Sequence, residues 1–150
     1  MGDSMPESKI QIRIITPEDT KADEKADMII MRAITGPMGI LPGHAPYTSV
    51  LDIGALQILD GENIRKIALF GGIAEIRDDV LTILTPFAEW PEDIDRAHAE
   101  ADREHARHRL QENVDDMEIQ RDQVLLRRSL VRIEVSSDSL VSESGLNEEL

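Results

Sequence analysis

Residues 36–50 read GPMGILPGHAPYTSV and hold three of the nine glycines and three of the seven prolines in the chain. Proline fixes the φ angle and glycine permits tight turns, so this stretch predicts a rigid loop. Apolar runs lie on both sides of it, DMIIMRAI (27–34) before it and IGALQIL (53–59) after it. The stretch therefore predicts a firmly held corner between strands.

Around this corner, the first ninety residues show short apolar runs separated by turn residues. KIQIRII (9–15) has isoleucine at alternating positions, which is the period of a strand with one buried face. Asp60-Gly61 predicts a hairpin turn, and Arg77-Asp78-Asp79 predicts a turn before VLTILT (80–85). Short strands at a spacing of about 8–12 residues are typical of an all-β sandwich or barrel.

Two interruptions divide the longest apolar stretches. Asp52 separates YTSVL (47–51) from IGALQIL, and Gly71-Gly72 separates NIRKIALF (63–70) from the residues that follow. We expect each interruption to end one strand and begin another, because paired glycines and a lone charge weaken a strand.

At Trp90-Pro91 the period changes to that of helices. PEDIDRAHAEADREHARHRL (91–110) begins with a proline and acidic residues, which predicts a helix starting at Pro91. QENVDD (111–116) breaks the pattern. MEIQRDQVLLRRSLVRIEV (117–135) predicts a second helix with an apolar stripe that includes Val124, Leu130 and Val131.

The predicted fold class is mainly β plus α. An N-terminal β-sandwich or barrel (1–90) precedes a C-terminal antiparallel α-helical hairpin (91–135). Residues 136–150 carry four acidic and no basic residues and predict a flexible acidic tail.

Composition excludes several classes of function. The net charge of −14 argues against nucleic-acid binding. No apolar run approaches the roughly 20 residues of a membrane-spanning helix, and the acidic start, MGDSMPESK, is unlike a signal peptide. The chain has no cysteine, so it has neither disulfides nor a thiolate metal site, which suits a reducing compartment.

The helical part uses only arginine as its cation, with eight arginines and no lysine after position 90. Arginine suits bidentate contacts with carboxylates or phosphates, although codon bias would give the same composition. Spacings of seven and four residues put the arginines on one face of each helix. These stripes are Arg96, Arg103 and Arg107 in the first helix, and Arg121, Arg128 and Arg132 in the second.

In the first helix, carboxylates at i±3 and i±4 predict ordinary in-helix ion pairs along a solvated face. Arg128 and Arg132 have no carboxylate at those positions, and they repel each other at i, i+4. This arrangement is consistent either with a solvated face or with an anion that bridges the two guanidinium groups. The candidate anions are a nucleotide phosphate and an acidic surface of a partner protein.

No pattern of catalytic residues stands out. His98, His105 and His108 lie roughly along one helical face, but no fourth ligand follows at characteristic spacing, so we do not expect a metal site. Because no nucleophile with a base and no phosphate-binding loop is present, the chain is not expected to be an enzyme.

Four segments, in this order and at this spacing, resemble the epsilon subunit of bacterial F-type ATP synthases. They are GPMGILPGHAPYTSVL (36–51), FGGIAEI (70–76), VLTILT (80–85) and EDIDRAHAEA (92–101). The resemblance covers about residues 8–135, and GILPGHAP is its most specific part. It implies a flattened β-sandwich followed by a helical hairpin.

The resemblance also implies a function and partners. It implies a non-catalytic rotor subunit of the central stalk that couples ion translocation to ATP synthesis, with protons or sodium ions both left open. The partners would be the gamma subunit and the c-ring, and the alpha and beta catalytic subunits through the C-terminal helices. The hairpin would inhibit ATP hydrolysis, and the chain would lie peripherally at the cytoplasmic face of the bacterial cell membrane.

Site residues follow from the same resemblance. The proline-rich loop would face the c-ring, with Leu41, His44 and Tyr47 in contact, although His44 would equally suit an internal corner tied to backbone. Family members commonly have an acidic residue where this chain has Pro37, and serine where it has Phe70. Both differences bear on how the sandwich would meet its partners.

In some family members the folded hairpin binds ATP through an [I/L]DxxRA motif and arginines of the second helix. Residues 92–97, EDIDRA, match it at three positions, with Glu92 in place of the aliphatic residue. No cofactor is required, and ATP is a candidate regulatory ligand. Its predicted contacts are Asp93, Arg96, Arg103, Arg128 and Arg132.

Two alternatives stay open at this point. The first is an isolated nucleotide-sensing module that binds ATP. The second is a β-sandwich adaptor unrelated to ATP synthase, with a helical interaction arm.

Overall fold

The structure is a computed structural model, which describes the backbone of residues 8–112 and 115–148 and the side chains as far as residue 137. It divides into two compact units between Ala88 and Glu89. The first unit contains strands and the second contains helices, so the predicted fold class, a β-sandwich followed by a helical hairpin, is confirmed.

Eight strands form the first unit. The sheet has the order β2-β1-β7-β6-β5-β3-β4, and β8 also pairs with β6. β1 and β7 run parallel, whereas the other pairs along this order are antiparallel. The strands are β1 (Ile10–Ile15), β2 (Thr20–Ala26), β3 (Met28–Ala33), β4 (Gly36–Ile40), β5 (Tyr47–Asp60), β6 (Asn63–Arg77), β7 (Val80–Leu84) and β8 (Ala88–Glu89).

The core of the sandwich is almost entirely aliphatic. β1 contributes three isoleucines at alternating positions, as the sequence predicted. β7 faces the same interior with Leu81 and Ile83. The largest fully buried side chains are Ile10, Ile12, Ile14, Ile29, Met31, Ile40, Leu56, Ile58, Ile67, Ile76, Leu81 and Ile83.

The two longest strands each continue through the position where the sequence predicted a break. β5 runs through Asp52 and β6 runs through Gly71-Gly72, with one register from Tyr47↔Ile76 to Asp60↔Asn63. What changes at these positions is the buried face. In β5 the buried residues shift from Ser49 and Leu51 to Gly54, Leu56 and Ile58, so odd positions give way to even ones.

This change of buried face along β5 and β6, which we call the face switch, depends on the glycine pair in β6. Gly71 and Gly72 have φ angles of 84° and 124°, in the region that side chains disfavour. A Cβ on Gly72 would lie 2.3 Å from the carbonyl oxygen of Leu84, so the backbones of β6 and β7 approach too closely for a side chain. The buried Thr85 hydroxyl lies 2.8 Å from the Gly71 carbonyl oxygen and 3.0 Å from that of Phe87.

Three strands were not predicted, β2, β4 and the two-residue strand β8. β2, TKADEKA, buries only Ala22 and Ala26, so its apolar signal is weak. β4 takes up the first five residues of the proline-rich stretch and pairs with β3. Pro37 is compatible with it because β4 lies at an edge of the sheet, where the N–H groups that face away from β3 need no partner strand.

The predicted turns at Asp60-Gly61 and Arg77–Asp79 are present. Gly61 has a φ of 61°, and Asp78 and Asp79 have φ angles of 51° and 60°. The Gly61 N–H donates to Asp27 at 2.6 Å, and this bond, followed by the nearby Lys9 ammonium, holds the pKa of the Asp27 carboxyl below its usual value. A hydrogen bond to Asp60 raises the pKa of Lys9.

The second unit begins with a 3₁₀ turn, Pro91–Asp93, followed by α1 (Arg96–Glu112) and α2 (Asp116–Glu148). The predicted start of the first helix at Pro91 is wrong. Ile94 is extended, with φ −92° and ψ 125°, and interrupts the helical backbone. Asp95 then caps α1 by accepting the His98 N–H at 3.0 Å.

The second helix also differs from the prediction. α2 continues past residue 135 into the segment predicted to be a tail, and the flexibility of residues 136–150 stays a prediction. In the predicted apolar stripe, Val131 is buried, whereas Val124 and Leu130 are exposed. The buried positions include Asp122, Ser129 and Val135 instead, because α2 faces α1 through small side chains.

No helix in the described part of the chain is long and apolar enough to cross a membrane.

Replacing Gly72 by alanine should destabilise the first unit severely, by at least about 3 kcal/mol, because strain at positive φ adds to a backbone clash. The matched control is Gly61→Ala, whose Cβ would meet nothing within 4 Å and which should lose only about 1 kcal/mol. Urea unfolding followed by circular dichroism gives both values. Equal losses in the two variants would contradict the role assigned to the close approach.

Candidate functional site

The loop that joins β4 to β5 is fastened to the turn between β6 and β7. The Gly43 N–H donates to the Asp79 carboxylate at 2.7 Å, and the His44 N–H donates to the Leu41 carbonyl oxygen at 3.2 Å. Gly43 has a φ of 83°, which explains why glycine occupies this position. The loop is therefore held at several points, as its composition predicted.

The three loop residues predicted to contact a partner differ in exposure. Leu41 and Tyr47 are about half exposed, at 54% and 45%. The His44 ring is partly buried, with Nδ1 2.7 Å from the Ala45 carbonyl oxygen, and packs edge-on against Tyr47 at 6.3 Å between ring centroids. These contacts favour the alternative reading of His44 as a corner residue tied to backbone. The contact of Leu41 and Tyr47 with the c-ring stays a prediction.

A larger apolar surface was missed by the sequence analysis. Val50 pairs with Ile73, Ile73 pairs with Leu84, and the Ile34 N–H donates to the Val50 carbonyl oxygen at 3.0 Å. Paired residues of neighbouring strands point to the same side, so these side chains form one row across the sheet. We call this set the apolar row: Ile34 (64% exposed), Val50 (51%), Ile73 (50%) and Leu84 (54%).

The apolar row continues into a groove at its Leu84 end. Ile15 pairs with Leu84, and Ile15, Thr16, Pro17, Leu84, Thr85 and Pro86 line the groove. Contiguous exposed apolar surface is characteristic of a docking site for another protein. The sequence does indicate this surface, because apolar residues occupy both odd and even positions in these strands. A strand with one buried face would have them at alternate positions only.

Three of the predicted ATP contacts lie in α1 and in the 3₁₀ turn before it. Asp93 lies exposed in the 3₁₀ turn. Arg96 lies 3.1 Å from Glu100, and Arg103 lies 3.2 Å from Glu104, measured from Nε to the carboxylate oxygen. The Arg96 pair is the i, i+4 ion pair that the sequence analysis expected, whereas Arg103 pairs with the adjacent Glu104 rather than with a carboxylate three or four residues away.

The two arginines of α2 differ from each other. Arg132 donates from Nε and Nη2 to the two carboxylate oxygens of Glu89, each at 2.9 Å. The sequence analysis found no carboxylate within one helical turn of Arg132, and the structure supplies one from a residue 43 positions away. Arg128 makes no hydrogen bond or ion pair with the described residues, in agreement with the sequence analysis.

The start of α1 offers a second register for the [I/L]DxxRA pattern. Ile94, Asp95 and Ala99 match it, with His98 in the arginine position. In this register Asp95 is the helix cap, and Ala99 is buried. In this register Ile94 occupies the aliphatic position of the motif, which is occupied by Glu92 in the first register.

Arg128 lies on a partly apolar face of α2. Met117, Gln120, Arg121, Val124, Leu125 and Arg128 line a shallow groove along this face. Like Arg128, Arg121 has no hydrogen-bond or ion-pair partner among the described residues. Two guanidinium groups that lack a partner within the described residues, and that lie beside apolar side chains, can bind an anion or an acidic, partly apolar surface.

The histidines of α1 pair with carboxylates of their own helix. His98 lies 3.5 Å from Asp102, and His108 lies 3.2 Å from Glu112. Within the residues that the structure describes, no three histidine or acidic side chains converge as a metal site would require.

Comparisons with known proteins agree with this architecture. Residues 9–91 match the family model of the ATP synthase delta/epsilon chain beta-sandwich domain, and residues 92–137 match that of its long alpha-helix domain. The ATP synthase epsilon chain of Syntrophobacter fumaroxidans is 39% identical over 128 residues, covering 85% of this chain and 96% of the relative. The epsilon chain of Bacillus subtilis is 39% identical over 127 residues, with the same coverage.

A solved structure is similar in fold. One chain in a cryo-EM structure of the Euglena gracilis mitochondrial ATP synthase, comprising OSCP, F1 and the c-ring, has a TM-score of 0.75 and 24% identity. The match covers 89% of this chain and 82% of that one. The alternative of an adaptor unrelated to ATP synthase is thereby overturned, and the predicted resemblance is confirmed. With both of its units matched by the family models, this chain belongs to the ATP synthase delta/epsilon chain family.

Proposed function

We propose that this chain is a non-catalytic rotor subunit of the central stalk of an F-type ATP synthase. It couples ion translocation, of protons or sodium ions, to ATP synthesis and restrains ATP hydrolysis through its helices. Its membership of the delta/epsilon family supports this role. The observation that carries the proposal is the apolar row, because a surface of four exposed aliphatic side chains on a rigid sheet is suited to a permanent attachment.

The proposed partners follow from the surfaces of each unit. The apolar row docks on the gamma subunit, and Leu41 and Tyr47 contact the c-ring. The chain is then a peripheral part of a membrane-bound complex, on its cytoplasmic face. Because the row and its groove cross four strands, the attachment distributes mechanical load over these strands rather than over one loop.

Replacing Ile73 by aspartate should weaken assembly into the complex at least about tenfold, because the change removes apolar burial and places a charge in the contact. The control is Ile64→Asp, since Ile64 is 60% exposed but lies outside the apolar row, near the β5–β6 turn. Retention of each variant on membranes stripped of the native subunit measures assembly. Equal retention of the two variants would rule out the row as the docking surface.

Regulation of hydrolysis is assigned to the arginines of α2. Arg128 is the charge available to an acidic surface of the catalytic beta subunits, because it has no described partner. Arg132 must leave Glu89 before it can make such a contact. A contact with the beta subunits through Arg132 therefore requires an ion pair to break first, whereas a contact through Arg128 breaks no described ion pair.

Replacing Arg128 by alanine should relieve inhibition of ATP hydrolysis about three- to tenfold in the assembled complex, because one charge-assisted contact is lost. Arg107→Ala is the control, since Arg107 lies on α1 and contacts Glu104 of the same helix. ATPase rates of complexes reconstituted with each variant give the result. Unchanged inhibition in the Arg128 variant would count against inhibition through a contact of Arg128.

A second candidate function is ATP sensing by the isolated chain. The groove of α2 favours it, because Met117, Val124 and Leu125 offer apolar surface to a base while Arg121 and Arg128 offer charge to phosphates. In this proposal, ATP and an acidic partner compete for Arg128. Such competition would link the nucleotide level to the state of the helices.

Calorimetric titration of the isolated chain with ATP should show binding that Arg128→Ala weakens about tenfold and Arg107→Ala leaves unchanged. The same titration on Asp93→Ala and Asp95→Ala distinguishes the two registers of the motif. Circular dichroism of the Asp95 variant checks that loss of the cap has not unwound α1. Absence of heat at millimolar ATP for the wild-type chain would leave only the mechanical role.

A further inference from the structure

The two helices meet through small side chains. On α1 the buried residues are Ala99 and Ala106. On the described part of α2 they are Asp122, Ser129, Val131, Val135 and Ser136. Alanine, serine and valine remove less apolar area from water than leucine or phenylalanine, so packing alone holds this hairpin weakly. Leu110, Leu125 and Leu126 add only partly buried surface.

An ion pair joins the helices where α1 ends and α2 begins. Arg109 Nε lies 3.6 Å from Asp122 Oδ1. The Asp122 side chain is only 4% exposed, whereas that of Arg109 is 44% exposed. A carboxylate this buried requires compensation by a positive charge or hydrogen bonds, so the pair favours the closed arrangement of the two helices.

A second ion pair acts near the other end of the hairpin. The bidentate contact of Arg132 with Glu89 joins α2 to the residue that precedes Trp90 and the 3₁₀ turn. Both side chains are about three-quarters buried, which limits screening by solvent. Two parallel charge-assisted bonds are among the stronger contacts that a partly exposed site can form.

We infer that the hairpin is held closed by a clasp consisting of these two ion pairs, Arg109–Asp122 and Arg132–Glu89. Salt weakens the clasp through the parts of the pairs that face solvent, since Arg109 is 44% exposed and about a quarter of Arg132 and of Glu89 is exposed, and the weak packing between the helices adds little to hold them together. The clasp concerns the isolated chain and does not require the chain to regulate hydrolysis. Its failure would therefore leave the proposed rotor function untouched.

The chain suits a direct distance measurement because it contains no cysteine. Spin labels on Ala101→Cys in α1 and Gln123→Cys in α2, both at exposed positions, report the separation of the helices in the full-length chain. Between about 0.1 M and about 1 M salt the screening length falls from about 10 Å to about 3 Å. Over this range we expect the population with the longer distance to grow about two- to threefold, because partly buried ion pairs are screened less than exposed ones.

Single substitutions separate the clasp from general effects of charge. At low salt, Arg109→Gln and Glu89→Gln should each raise the open population severalfold. Arg107→Gln is the matched control, because its Glu104 partner lies on the same helix, and it should leave the distances unchanged. Circular dichroism of each variant establishes that α1 and α2 are still helical.

The charge-swapped double variant Glu89→Arg with Arg132→Glu provides the rescue, and it should restore the closed population lost in Glu89→Gln. Restoration would exclude a general loss of folding as the cause of opening. A distance distribution that responds neither to salt nor to Arg109→Gln and Glu89→Gln would overturn the clasp. An equal effect of Arg107→Gln would overturn it too, by showing that net charge rather than these pairs controls opening.

Discussion

The sandwich depends on the close approach of Gly72 to the backbone of Leu84, where β6 passes from one buried face to the other. At this point the long hairpin of β5 and β6 changes the side chains that it directs inward, while its register stays constant. One pair of strands thereby supplies core residues before and after the switch. Thr85 reinforces the junction, since its N–H donates to Ile15 and its hydroxyl lies between two carbonyl oxygens. Only glycine permits this geometry, because a Cβ would overlap a carbonyl oxygen.

The same junction creates the surface assigned to docking. Ile73 follows Gly72 directly, and Leu84 is the residue whose carbonyl Gly72 approaches. After the switch, Ala74 and Ile76 fill the core, so Ile73 must point outward despite being apolar. Val50 lies opposite it for the same reason in β5. The apolar row is therefore tied to the constraint that forms the sandwich, and a partner that docks there contacts the sheet beside this close approach.

The sequence predicted those features that are encoded within a few residues. Strict alternation identified β1, turn residues identified the Asp60-Gly61 and Arg77–Asp79 connections, and the change of period located the helices. It did not predict β2, whose buried residues are two alanines, or the continuity of β5 and β6. A change of buried face mid-strand resembles a break when only the pattern of apolar residues is read. The Glu89 partner of Arg132 was missed because a search at i±3 and i±4 cannot find a contact across 43 residues.

The two units present surfaces of different chemistry. Apolar burial stabilises at roughly 25 cal/mol per Å² and responds little to moderate salt, so a contact through the apolar row is suited to permanent attachment. Ion pairs of partly exposed groups are weaker than extensive apolar contacts and can exchange one anionic partner for another, so the arginines of α2 are suited to reversible contacts. Arg132 is engaged, whereas Arg128 contacts no charged group in the described part of the chain, which gives the helices one charge that holds the closed form and one that can recruit another anion. A subunit that must stay attached while part of it changes state needs this division, because a regulatory surface as apolar as the docking surface would bind once and remain bound.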